Sequence, residues 1–180
     1  MNKEIELKAR VGEPEQLKMK LHEYYGESAD FFKRDVYYRY PSGQLVRLRD
    51  EGCGPLVTLK RKTVSRGIEV NDELEFGVSD GEKFLSYCIL TGAEEYLRKT
   101  KRGCRFSGGD RISIELCEVE PLGWFIEIEK VVEASGEGSI PDSEILSAKN
   151  DILDILKKLG IGESALEPRF YSAMLLDRRS

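Results

Sequence analysis

The sequence predicts an α+β fold dominated by antiparallel strands, and three observations carry that reading. Segments of strict apolar–polar alternation recur along the chain, starting at once with Ile5, Leu7, Ala9 and Val11 alternating with Glu4, Glu6, Lys8 and Arg10. A period of two puts the apolar side chains on one strand face and the charges on the other. Turn signals separate the segments: Pro41-Ser42-Gly43, Glu51-Gly52-Cys53-Gly54-Pro55 and Ser65-Arg66-Gly67. Helical patterns are too few to alternate with the strands, which excludes a Rossmann-like parallel sheet.

The elements follow in order. Pro14 opens a helix through about Tyr25, with Leu17, Leu21 and Tyr24 at helical spacing and Gly26 as its stop. Strands are expected near 35–40 and 44–50, joined as a hairpin, then over 56–63, and again ending at Val78. Asp80 is placed to cap a helix running to Leu90, with Phe84, Leu85, Cys88 and Ile89 inward. Further strands are expected near 96–101, 111–119 and 124–132, followed by a Gly/Ser-rich loop at 135–139. Ile145, Ile152, Leu153, Leu156 and Leu159 make an amphipathic helix closed by Gly160 and Gly162. A short helix ends the chain between Pro168 and Leu176. Residues 1–180 read as a single domain.

Composition narrows the function classes. Forty per cent of the 180 residues are apolar and 34% charged, with a net charge of −5. The acidic balance argues against non-specific nucleic-acid binding, which needs a basic face. No apolar run is long enough for a membrane span, and a strand starting at residue 3 leaves no room for a signal peptide. Cys53, Cys88, Cys104 and Cys117 form no Cys-x-x-Cys pair, so reduced thiols and a cytoplasmic setting are expected. His22, the only histidine, sits among polar residues of a helix and is expected at the surface.

The charged strand faces are the chemical signal. Arg47 and Arg49 share a face, as do Thr58, Lys60 and Lys62, Glu73 and Glu75, and Glu127 and Glu129. Two carboxylates at i and i+2 lie about 6.6 Å apart and repel by about 2.5 kcal/mol at an effective dielectric near 20. Several such pairs facing one enclosed space require metal ions or bases to neutralise them. Hard divalent cations take carboxylate oxygen, while Arg forks and Lys ammoniums match phosphate oxygens. Carboxylates for metal beside bases for phosphate describe a polyphosphate site.

Glu4-Ile5-Glu6-Leu7-Lys8 resembles the Glu-x-Glu-x-Lys signature of the CYTH superfamily, the triphosphate tunnel metalloenzymes. The likeness continues through Asp35-Val36-Tyr37-Tyr38, Arg47-Leu48-Arg49, Thr58-Leu59-Lys60, Glu73-Leu74-Glu75, Leu122 to Glu129, and Tyr171 with Leu175 and Leu176. It runs from Glu4 to Leu176 and looks closest to class IV adenylyl cyclase-like and thiamine triphosphatase-like proteins. What it implies is a closed antiparallel β-barrel, or tunnel, of about eight strands with flanking helices. By the same resemblance Glu4, Glu6, Glu127 and Glu129 would hold one or two Mg²⁺ or Mn²⁺ ions. Lys8, Arg47, Arg49, Lys60 and a base among Lys99, Lys101 and Arg102 would cradle the triphosphate beside Glu73 and Glu75, with Glu4, Glu6, Lys8 and Lys60 catalytic. Tyr37 is expected to be structural.

Three positions depart from the family pattern. Cys117 stands where an Asp is common, and a thiol is a poor Mg²⁺ ligand. Glu115 shares its strand face and is the candidate substitute, whereas Glu118 lies on the opposite face. Asn71 stands where an Arg is common, with Arg66 a loose replacement. The cluster Arg98-Lys99-Thr100-Lys101-Arg102 aligns in more than one way. The resemblance thus implies a metal-dependent enzyme acting on ATP, thiamine triphosphate or tripolyphosphate, by cyclisation or by hydrolysis. The alternative is a non-catalytic polyphosphate-binding module. Neither nucleic acid nor membrane is expected as partner, and the chain is expected to be a monomer or homodimer.

Overall fold

Among the described residues, antiparallel pairing closes a ring of eight strands. The computed structural model describes residues 2–65, 68–133 and 141–178, with side chains described for 4–59, 74–133 and 141–178. The strands are β1 (Asn2–Arg10), β2 (Ser28–Arg39), β3 (Leu45–Asp50), β4 (Pro55–Ser65), β5 (Ile68–Gly77), β6 (Glu94–Gly109), β7 (Ile112–Glu120) and β8 (Gly123–Glu133). Around the barrel they run β1-β5-β4-β3-β2-β6-β7-β8, and β8 pairs back onto β1. Two meanders, β2 to β5 and β6 to β8, are thus joined edge to edge through the N-terminal strand. The α+β barrel with flanking helices agrees with the resemblance.

The helices are α1 (Pro14–Tyr25), α2 (Gly81–Leu90), α3 (Asp142–Leu159) and α4 (Tyr171–Asp177). Asp80 caps α2 as expected, its Oδ1 accepting from the Lys83 backbone N–H at 3.0 Å. Gly160 ends α3 in the left-handed region, and its N–H reaches the carbonyls of Leu156 and Lys157. Two strands are longer than expected: β2 begins at Ser28 rather than near 35, and β6 extends to Gly109 rather than 101. The loop expected at 135–139 lies outside the described residues.

The layering inverts that of a barrel with an oily interior. The apolar faces turn outward, where Ile5, Leu7, Ala9, Ile114, Leu116, Ile126 and Ile128 meet Leu17 and Leu21 of α1 and Ile152, Leu156 and Leu159 of α3. A smaller cluster, Tyr38, Cys88 and Ala93, seats α2 on the wall of β2. The alternate residues of the same strands turn inward, so the charges face a lumen. The lumen's apolar end is packed by Leu97, Cys117, Val119 and Phe125 against Tyr171, Met174 and Leu175 of α4.

Gly103 on β6 stands opposite Cys117 on β7. A Cβ there would come within 2.1 Å of the Leu116 carbonyl oxygen and 2.7 Å of the Cys117 Cα, both backbone atoms that cannot swing away. Gly103→Ala should therefore lower the unfolding free energy by about 1–3 kcal/mol. Urea titration would show this as a lower midpoint, whereas Gly12→Ala, with nothing near its Cβ, should leave the midpoint in place.

Candidate active site: the charged lumen

The lumen is a cavity of about 1190 Å³. Register places its side chains in rows. Across β1, β8, β7 and β6 one row reads Lys8, Glu127, Glu115, Arg105, and the adjacent row begins Glu6, Glu129, Ser113. On the far wall, β2, β3, β4 and β5 give Tyr37, Arg47, Thr58, Glu75.

Asp35 organises the basic wall. It accepts from Arg49 Nε at 2.7 Å and Nη2 at 3.0 Å, and Lys99 Nζ lies 3.0 Å away. Burial alone would raise its pKa, but the Lys99 charge and the Arg49 bonds outweigh that and hold the carboxyl far below its usual range. The Tyr37 hydroxyl leans on Asp35 at 3.4 Å. Burial pushes its phenol up while the charges of Lys99, Arg47 and Arg49 push it down further. Arg47 Nη2 donates to Thr58 Oγ1 at 2.8 Å, and the Thr58 hydroxyl donates in turn to Glu75 Oε2 at 3.0 Å. Arg47 Nε is buried without a hydrogen-bond partner.

Glu115 on β7 is the second hub, beside the first. Its Oε1 accepts from Lys33 at 2.8 Å and from Arg105 at 2.6 and 2.8 Å, and its Oε2 from Lys101 at 2.6 Å. Lys101 also donates to Glu127 Oε2. Desolvation works against all these charges. For Glu115 the cations win and its pKa falls well below normal. Lys101, between two carboxylates, is raised well above normal. Lys33 shares one carboxylate with two other bases, so burial prevails and its pKa falls. Glu127 is also held down, by Lys101 against burial. Its Oε1 and the nearby Tyr171 hydroxyl are both buried without a well-formed hydrogen bond. Burial drives the Cys117 thiol up, keeping it protonated.

The residues singled out from sequence mostly converge here. Glu4, Glu6, Arg47, Arg49, Glu75, Lys99, Lys101, Glu115, Glu127 and Glu129 all line the cavity. Buried Lys8 lies over the Phe170 and Tyr171 rings, 5.9 and 5.4 Å from their centroids. Arg102 requires a correction: it is on the outer face, bonded to Glu118 at 2.8 Å, because period two that turns Lys99 and Lys101 inward turns Arg102 out. Lys60 and Glu73 are opposite one another on β4 and β5, but their side chains, like that of Asn71, lie outside the described residues, as does Arg66. Two lumen bases, Lys33 and Arg105, escaped the sequence reading. Lys33 sits two residues before Asp35 and Arg105 four after Lys101, both in phase with the inward face.

The donor set fits a hard cation in part. Glu6 and Glu129 are directly opposed on neighbouring strands, with Glu4 one pleat away. No three His, Cys, Asp or Glu side chains among the described residues are close enough to share an ion. Such a set suits Mg²⁺, which is commonly held by one or two carboxylates with substrate phosphates completing the shell.

The C-terminal segment is clasped to β1. Glu167 accepts from Arg169 at 2.9 Å and from Arg10 at 2.9 and 3.1 Å, its N–H reaches the Lys8 carbonyl, and Leu166 bridges to Ala9. This clasp seats Phe170, Tyr171 and Ser172 against the cavity.

An antiparallel barrel whose inner face interleaves carboxylates with bases defines a class of charged-lumen protein. The CYTH domain family model matches residues 2–171, and the chain belongs to that family. It is similar to a Methanocaldococcus jannaschii protein provisionally named an adenylate cyclase, at 24% identity over 93% of this chain and 95% of that one. A Pyrococcus horikoshii protein structure is 29% identical, covers 94% of this chain and 98% of its own, and superposes with a TM-score of 0.79. A Hippeastrum protein, described as an adenylyl cyclase candidate with a dominant triphosphatase activity, shares the fold at 16% identity, covering 99% and 96%, with a TM-score of 0.66. No described helix is long and apolar enough to cross a membrane.

Two outcomes follow from the buried hubs. Asp35→Asn leaves Arg49 and Lys99 facing each other without a counter-charge, so it should cost about 3–5 kcal/mol, measured by urea unfolding at neutral pH. Glu167 has its pKa held at about 2, chiefly by Arg169 and then by Arg10. A depressed carboxylate stabilises above its unfolded pKa of about 4.3. That contribution drains away as pH falls through the window toward about 2. In acid titrations followed by circular dichroism, Glu167→Gln should lose less stability across that window than wild type.

Proposed function

We propose that this barrel is a divalent-metal-dependent enzyme that cleaves a phosphoanhydride bond of a triphosphate held in its lumen. The observation that supports it most is the set of inward bases, Lys33, Arg47, Arg49, Lys99, Lys101 and Arg105, facing inward carboxylates on β1 and β8. Asp35 holds Arg49 and Lys99 in place before substrate arrives, so little reorganisation accompanies binding. Arg47 offers a donor that no protein group has taken. Glu6 and Glu129, with Glu4, would hold the ion, which supplies neutralisation of developing phosphate charge and a lowered nucleophile pKa. Lys8, on the same face of β1 as Glu4 and Glu6, would bind a phosphate oxygen. The nucleophile is either a ribose hydroxyl, giving a cyclic nucleotide and pyrophosphate, or water, giving phosphate. The relatives' names span both outcomes. A binding module without turnover is the second reading, favoured by the protonated Cys117 thiol and by the bases already engaged at Glu115.

Incubation with ATP, thiamine triphosphate and tripolyphosphate, each with Mg²⁺ or Mn²⁺, should yield cyclic AMP, pyrophosphate or phosphate only when metal is present. Glu6→Gln should abolish that turnover while circular dichroism still shows the folded barrel. Arg47→Ala should weaken tripolyphosphate binding by about 1.5–3 kcal/mol in titration calorimetry. Binding without turnover would leave the module reading, and unaltered affinity in Arg47→Ala would sink the cradle.

A further inference from the structure

We infer that Glu51 is a built-in competitor for the phosphate cradle, a carboxylate that sits on Arg49 and Lys33 at the end of the lumen away from α4 and that a polyphosphate must displace. The inference rests on the phosphate-cradle reading and assigns a residue that limits how tightly the cradle holds its ligand. Phase puts Glu51 there. It follows Arg47 and Arg49 at steps of two, just past the end of β3, and lines the same cavity. Pairing of β2 with β6 runs from Tyr37–Leu97, at the end packed by α4, through Asp35–Lys99 to Lys33–Lys101. Arg34 pairs with Asp50, which brings Lys33 alongside Glu51 at the far end.

Glu51 is the looser partner of both bases. Arg49 binds Asp35 at 2.7 and 3.0 Å, and Lys33 binds Glu115 at 2.8 Å. Glu51 Oε1 lies 3.3 Å from Arg49 Nη1 and 4.0 Å from Lys33 Nζ. Its side chain is 33% exposed, against 13% for Arg49 and 4% for Lys33. An ion pair so long and so wet is worth little, and the two bases remain tied to their buried carboxylates when it breaks. The turn does not depend on it either. Asp50 Oδ1 accepts from the Gly52 N–H at 3.0 Å, and Gly52 and Gly54 supply the positive φ of 85° and 109°. A single carboxylate offers these bases one negative charge. A polyphosphate chain brings several charges and acceptor oxygens to the same two groups, and so wins the exchange.

Tripolyphosphate titrated by calorimetry into wild type, Glu51→Gln and Glu118→Gln, in EDTA to prevent turnover, tests this. Glu118→Gln makes the same charge change beside Arg102 on the outer face. Glu51→Gln should bind about fivefold or more tightly than wild type, because a like charge beside the polyanion is gone, and Glu118→Gln should match wild type. Circular dichroism checks each fold, and Glu51→Ala is read instead if Glu51→Gln does not fold. Unchanged or weaker binding once the Glu51 charge is removed, or an equal gain in Glu118→Gln, would overturn the inference while sparing the cradle. Failure of both wild type and Glu51→Gln to bind tripolyphosphate would overturn both.

Discussion

Charge neutralisation inside a closed space is the constraint on which this structure depends. A buried ion without a partner costs several kcal/mol. The barrel meets that cost with two carboxylate hubs. Asp35 serves Arg49 and Lys99, and Glu115 serves Lys33, Lys101 and Arg105, the two hubs standing side by side where β2 pairs with β6. Each hub gathers more positive than negative charge. Each buried carboxylate is therefore matched by charge that the protein itself supplies. Removing a hub strands two or three buried bases at once, whereas removing one spoke leaves the hub still paired.

Filling the interior with ions moves the hydrophobic work to the outside. A barrel whose lumen cannot exclude water must bury its apolar area elsewhere. The outer faces of β1, β6, β7 and β8 do so beneath α1 and α3, with Ile5, Leu21, Ile114, Leu116 and Ile152 fully buried. The exception is the end closed by α4, where Phe125 meets Tyr171 edge to face at 5.0 Å. The N-terminal strand serves both layers. It carries Ile5, Leu7 and Ala9 outward and Glu4, Glu6 and Lys8 inward, and it is the strand that completes the ring.

Much of this was legible because period two is unambiguous where one face is apolar. The β1 pattern, the Arg47–Arg49 face and the Glu127–Glu129 face all point as their alternation requires. The ends of β2 and β6 were not legible. In Lys33-Arg34 and Arg102 to Arg105, both strand faces carry charge, one toward the lumen and one toward solvent. Such a segment resembles a loop, and with it Lys33 and Arg105 were lost. Arg102 was drawn into the site for the same reason, since adjacent bases give no phase by themselves. Partnership was equally hidden: the role of Glu115 as a hub depends on β2, β6 and β7 meeting, and no spacing along one strand encodes that. Cys117 is clearer in three dimensions, since Gly103 opposite leaves it a tight place in the apolar end.

The lumen network also has a thermal meaning. The hydration of isolated ions becomes less favourable as temperature rises, so the penalty for keeping them out of water shrinks on heating, while the gain from apolar burial levels off. A chain that places Asp35, Lys33, Lys99, Lys101 and Glu115 in its interior therefore holds a reserve that grows in relative worth as water gets hotter. Surface pairs such as Arg34–Asp50 and Arg98–Glu95 were never desolvated and have little of it. The same ionic interior that fills the barrel makes it a scaffold suited to heat.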